Sequence, residues 1–141
     1  MVEELKLRLK DLFTRLGYKS LINSLQVYTF AGLVGSIIKY NGVAEDDIKK
    51  WEATFLDLYK KKGRKILGRF SDVEYVFIDE FQDITLCRLE ILKKVASRER
   101  TYLTAIGDPN QSIYGFERDK DSCGLGKGPI AAEYYLSLIH I

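Results

Sequence analysis

Leu5, Leu9, Leu12 and Leu16 recur at helical spacing among Lys, Arg and Glu, which predicts an amphipathic helix over residues 2–16, stopped by Gly17. Leu25-Gln-Val-Tyr-Thr-Phe30 is rich in β-branched and aromatic residues and reads as a short strand. Residues 31–40 read as a helix that ends at Asn41-Gly42. The acids Glu45, Asp46 and Asp47 suit the positive end of the next helix, whose apolar stripe is Ile48, Trp51, Phe55 and Leu58 and whose stop is Gly63. Val73-Glu-Tyr-Val-Phe-Ile78 is nearly continuous in strand formers, as a strand covered on both faces should be. A helix is predicted from Thr85 to about Arg98 with Leu86, Leu89, Leu92 and Val95 inward, followed by a second buried-type strand from Thr101 to Ile106. This alternation predicts an α/β fold with parallel pairing. Residues 119–129 are turn-rich and aperiodic, and residues 131–141 read as a helix or a short strand.

Composition narrows the class without naming a function. With 46% hydrophobic and 30% charged residues over 141 positions, the chain has material for one core and is neither a disordered tail nor a membrane bundle. The net charge of +2 does not announce a nucleic-acid binder, but residues 1–70 carry 14 Lys/Arg against 8 Asp/Glu, and residues 71–141 carry 8 against 12. The cluster Lys60, Lys61, Lys62, Arg64 and Lys65 reads first as a solvated helix terminus and second as a phosphate contact. Cys87 and Cys123 lack a Cys-x-x-Cys spacing and read as reduced thiols of a cytosolic protein. The start is too charged for a signal peptide, and the apolar ending is too short to span a bilayer, so no membrane role and a cytoplasmic location are expected. The lone His140 excludes His-based metal sites and a Ser-His triad.

The chemistry gathers where the two later strands end. Asp79-Glu80 stands just past Ile78, and ligands of open parallel sheets bind at the carboxyl ends of strands. An Asp there suits a Mg²⁺ ion that keeps most of its waters, and the neighbouring Glu suits a role in orienting or deprotonating an attacking water. A solvated acidic turn is the plain alternative. The second strand runs into Gly107-Asp-Pro-Asn-Gln-Ser-Ile-Tyr-Gly-Phe116, in the same topological position. There Gln111 offers amide donors for a phosphate oxygen, while Tyr114 and Phe116 offer ring faces for a base. Two core aromatics and a polar turn are the plain alternative here.

Asp79-Glu-Phe-Gln-Asp83 followed by Gly107-Asp-Pro-Asn-Gln-Ser-Ile-Tyr-Gly-Phe116 resembles motifs II and III of the UvrD/Rep-type superfamily 1 DNA helicases. The resemblance implies a partial RecA-like P-loop NTPase domain over residues 1–118, a parallel sheet with helices on both faces, and an unassigned tail over 119–141. It implies ATP and Mg²⁺ as cofactors, with Asp79 as metal ligand, Glu80 as catalytic base and Gln111 as γ-phosphate sensor. Gln82 and Asp108 would belong to the nucleotide site with them. Val27-Tyr-Thr-Phe-Ala31 is similar to the family's Thr-Phe-His motif, with Ala31 where His is usual. Thr29, Phe30, Tyr114 and Phe116 are the DNA contacts that the resemblance implies.

The implied parent is an ATP-dependent helicase moving 3′ to 5′ on single-stranded or partially duplex DNA in a bacterial cytoplasm or nucleoid. No Gly-x-x-x-x-Gly-Lys-Ser/Thr run occurs in the 141 residues, since Gly126-Lys127 is followed by Gly128 and preceded by Asp121 at the first glycine position. The chain is therefore expected to be an internal piece, inactive alone, whose partners are the phosphate-loop segment and second motor domain of the same helicase. The alternative is a non-catalytic reduced module that binds DNA or a partner helicase.

Overall fold

The computed structural model describes residues 2–96, 101–108 and 123. Four α-helices and two short strands occur among them: α1 (Val2–Arg15), α2 (Phe30–Tyr40), α3 (Trp51–Lys62), β1 (Tyr75–Ile78), α4 (Leu86–Val95) and β2 (Tyr102–Ala105). Short 3₁₀ turns at Lys19–Ser24, Ile48–Lys50, Gly63–Phe70 and Phe81–Asp83 link them.

Local chemistry explains the helix ends. The Thr29 hydroxyl caps α2 by accepting the Gly32 N–H at 3.0 Å, and Thr85 caps α4 through the Arg88 N–H at 3.3 Å. Leu25–Thr29 therefore runs extended into a helix cap and forms no strand among the described residues, which corrects the expectation for Leu25–Phe30. Among the described residues no strand pairs with it, so tertiary context overrides the propensity of its β-forming residues. Gly63, at φ 64°, ends α3 where the sequence placed its stop. Asn41 donates its side-chain N–H to the Ile37 and Ile66 carbonyls at 2.9 and 2.8 Å, stitching the end of α2 to the Gly63–Phe70 turn.

Two apolar clusters form the interior. The larger joins Val34, Ile37 and Ile38 of α2, Phe55 of α3, Ile66, Leu67 and Phe70, and Cys87, Ile91 and Val95 of α4. The smaller joins Ile78, Phe81, Ile84, Leu89 and Leu92. Helix α4 thus has two apolar faces: Cys87, Ile91 and Val95 point to one cluster, Leu89 and Leu92 to the other. Its predicted inward set belongs mainly to the sheet side. Helix α1 buries none of its residues, and Leu5, Leu12 and Leu16 stay exposed.

β1 and β2 pair in parallel, with Tyr75 opposite Tyr102 and Ile78 opposite Ala105. Parallel pairing was expected; cover on both faces was not met. Val76 and Ile78 turn toward the smaller cluster, while Tyr75, Phe77 and Tyr102 are 60%, 70% and 63% exposed. Among the described residues, helices therefore pack on one face of the sheet. Cys87 and Cys123 are joined in a disulfide, which corrects the expectation of two reduced thiols. Spacing along the chain cannot report that α4 brings Cys87 to within 5.9 Å of Cys123, Cα to Cα.

Candidate functional site

The strand ends are held together by a short series of hydrogen bonds that continues the parallel ladder past the sheet. The Ile106 N–H donates to the Ile78 carbonyl at 2.8 Å, and the Phe81 N–H donates to the Ile106 carbonyl at 2.9 Å. The next link is a side chain: Gln82 Oε1 accepts the Asp108 N–H at 3.0 Å. The Gln82 Nε2 amide donates to the Glu80 carboxylate. Gln82 is only 6% exposed, so its amide is a buried polar group, with both of its ends satisfied. Asp79 and Asp108 thus emerge at the same end of two adjacent parallel strands.

Glu80 adopts φ 52° and ψ 43°, and it is the one non-glycine with positive φ among the described residues. This left-handed conformation costs a side-chain-bearing residue roughly 1–2 kcal/mol. It turns the chain sharply after β1, so that Asp79 and Glu80 are exposed while Phe81 and Gln82 pass straight into the interior. Asp79 Oδ1 accepts the Glu80 N–H at 2.9 Å, which fixes the carboxylate at the strand end. Asp83 Oδ1 is shut off from solvent and has no hydrogen-bond partner among the described residues.

Asp79 offers a hard, exposed oxygen of the kind Mg²⁺ takes while keeping its waters, and so the donor chemistry fits that ion. Asp79, Glu80 and Asp83 do not converge as a three-carboxylate cage. Among the described residues, the one group of three ligand-type side chains within 4.8 Å of one another is Glu52, Cys87 and Cys123.

The upstream residues are placed differently. The Thr29 hydroxyl is used as a helix cap. Phe30 is half-buried and packs against both apolar clusters. The Arg88 guanidinium lies 5.3 Å from the Phe30 ring centroid and pairs with Glu52 at 2.9 Å. Arg88 is a residue that the sequence did not single out; its one signal was its position three after the capping Thr85. Arg69 donates to the Tyr28 hydroxyl and so anchors the approach to Thr29. Gln111, Tyr114 and Phe116 lie outside the described residues.

Comparison with known proteins bears on the same segment. Residues 55–121 match the UvrD/REP helicase N-terminal domain family. The chain is 35% identical over 71 residues to an ATP-dependent helicase/nuclease subunit of Lactobacillus helveticus (strain DPC 4571), covering 50% of this chain and 5% of that protein. It is 39% identical over 57 residues to a probable DNA helicase of Mycoplasma pneumoniae, covering 40% of this chain and 11% of that protein. A further similarity, 30% over 95 residues, is to the global nitrogen regulator NrpR of Methanocaldococcus jannaschii, covering 63% of this chain and 17% of that protein. The chain thus spans a small part of the relatives it matches. No solved structure matches it significantly.

Proposed function

We propose that the chain, whose residues 55–121 match the UvrD/REP helicase N-terminal domain, belongs to that family and forms part of the first, RecA-like motor domain of a DNA helicase that hydrolyses ATP and moves 3′ to 5′ on single-stranded DNA. The observation that carries the reading is the Gln82 bridge, which ties the Glu80 carboxylate to the Asp108 backbone across two parallel strand ends. A hydrolytic carboxylate and a phosphate-sensing Gln111 three residues after Asp108 need that adjacency.

In this reading Asp79 holds Mg²⁺ through its exposed carboxylate. Bound there, the ion would neutralise charge on the β- and γ-phosphate oxygens. Glu80 orients the attacking water and takes its proton. The left-handed turn presents Glu80 outward, and Gln82 limits where its carboxylate can swing. Beyond Asp108, Gln111 contacts the γ-phosphate, and Tyr114 and Phe116 stack on bases. Thr29 and Phe30 meet DNA through the backbone of the α2 cap and the rim of the ring, since the Thr29 hydroxyl and the body of Phe30 have structural uses. A second reading, a non-catalytic module that binds DNA or a partner helicase, rests on the lack of a Gly-x-x-x-x-Gly-Lys-Ser/Thr run in the 141 residues.

Steady-state ATP turnover separates the two readings. Residues 1–141 would replace the corresponding segment of a UvrD-type helicase that supplies its own Gly-x-x-x-x-Gly-Lys-Ser/Thr loop. The motor reading expects turnover stimulated by single-stranded DNA. A chimera that melts cooperatively yet hydrolyses no ATP above background, with or without DNA, overturns it in favour of the second. The 141 residues alone should show no DNA-stimulated hydrolysis, because the main donors to the β- and γ-phosphates are absent from the sequence.

A further inference from the structure

The bonded sulfurs of Cys87 and Cys123 play no part in the proposed motor chemistry. Cys87 is the second residue of α4 and is 5% exposed within the larger cluster. Cys123 packs against the same cluster but is only half-buried. The Glu52 carboxylate lies within 4.8 Å of both sulfurs and is paired with Arg88, the residue after Cys87.

The two sulfurs differ in access and in what supports each one as a thiolate. An incoming thiolate can reach the partly exposed Cys123. Cys87 sits in the first turn of α4, where backbone N–H groups without helical partners favour negative charge and make a good leaving thiolate. The adjacent Glu52 carboxylate opposes that charge, and its ion pair with Arg88 at 2.9 Å offsets the opposition.

We propose that Cys87–Cys123 is a thiol–disulfide exchange site, closed in the structure described here and opened by a dithiol reductant. One thiolate of the reductant bonds to the Cys123 sulfur. The protein S–S bond breaks, and its electron pair leaves on Cys87, which takes up a proton. The second thiolate of the reductant then attacks its own sulfur in the mixed disulfide. Cys123 departs as a thiolate and is protonated, and the reductant is left as its disulfide. Two electrons and two protons have passed to the protein.

The consequence falls on α4. That helix supplies side chains to both apolar clusters and begins three residues after Asp83, so it backs the turn that presents Asp79 and Glu80. The closed bond restrains a 36-position separation in the unfolded chain and pins Cys123 to the first turn of α4. Opening it loosens the support of the carboxylate turn.

The test uses residues 1–141 as they are, with oxidised glutathione and dithiothreitol as the probes. Thiols are counted on the denatured chain, and thermal melts are recorded in each redox state. The oxidised chain should show no free thiol and the reduced chain two. The melting midpoint should fall by about 6–12 °C on reduction and recover on reoxidation. Cys123→Ala should melt near the reduced value and ignore dithiothreitol. Two free thiols after treatment with oxidised glutathione overturn the proposal, as does a midpoint that is the same in both states. Neither result bears on the helicase reading, because no nucleotide or DNA is present. The two-state comparison of the unsubstituted chain decides the matter even if Cys123→Ala does not fold.

Discussion

Replacing Gln82 by Leu removes the bridge between the two strand ends while nearly preserving side-chain volume, so the cavity contribution is small. Two hydrogen bonds are lost: the one Gln82 donates to the Glu80 carboxylate and the one it accepts from the Asp108 N–H at 3.0 Å. A neutral bond contributes about 1 kcal/mol net, and a bond to a charged group about 1.5–3 kcal/mol when desolvated. Glu80 is exposed, so the lower end of that range applies. The sum is about 2–3 kcal/mol. For a chain of 141 residues the unfolding entropy is roughly 0.3 kcal/mol/K, and each kcal/mol moves the midpoint by about 3 °C. Gln82→Leu should therefore lower the melting midpoint by about 6–9 °C, read by circular dichroism or calorimetry. It should also speed hydrogen exchange at the Asp108 amide. A midpoint within about 1 °C of the parent's, or an Asp108 amide exchanging at the parent's rate, would refute the claim that Gln82 joins the two turns.

Three further outcomes follow from particular contacts. A Cβ at position 35 would lie 2.4 Å from the Trp51 ring, so Gly35→Ala should overpack the α2–α3 contact and cost about 1–3 kcal/mol in a denaturant melt. Thr85→Ala removes the cap of α4 and should cost about 1 kcal/mol in the same melt, with Thr85→Ser restoring most of it. Phe116→Ala should weaken oligothymidylate binding several-fold while leaving the salt slope unchanged, because stacking and phosphate contacts are separable; equal titration curves would return Phe116 to a packing role.

Much of the helical layout was legible because its signals are local. Leucine spacing marked α1, Asn41-Gly42 and Gly63 marked two ends, and the Asp79–Asp83 and Gly107–Phe116 runs carried the resemblance to UvrD/REP helicases, whose N-terminal domain matches residues 55–121. What was not legible depends on non-local partners. The β-forming run at Leu25–Phe30 contains a Thr three residues before Gly32, and its cap bond, not its propensity, decides the local structure. The apolar run at β1 predicted two covered faces, yet Tyr75 and Phe77 face solvent on one of them. Periodicity cannot tell a doubly buried strand from one whose second face is bare. The Glu80 conformation also carried no advance signal, since a left-handed residue is usually announced by Gly or Asn. Gln82 was named from the motif, but its burial and two-sided bridge emerge only once β2 lies beside β1.

In the proposed motor, the Glu80 carboxylate presented by the left-handed turn after β1 activates the water that attacks ATP. Single-turnover ATP hydrolysis by the helicase chimera carrying Glu80→Gln tests it most directly. The substitution removes the base while leaving an oxygen to accept from Gln82, so the turn should survive. The chemical step should slow by at least about 100-fold, with nucleotide still bound at comparable affinity. A folded variant that hydrolyses ATP within about tenfold of the parent's rate would contradict it, because a residue taking the proton cannot be replaced at so small a cost.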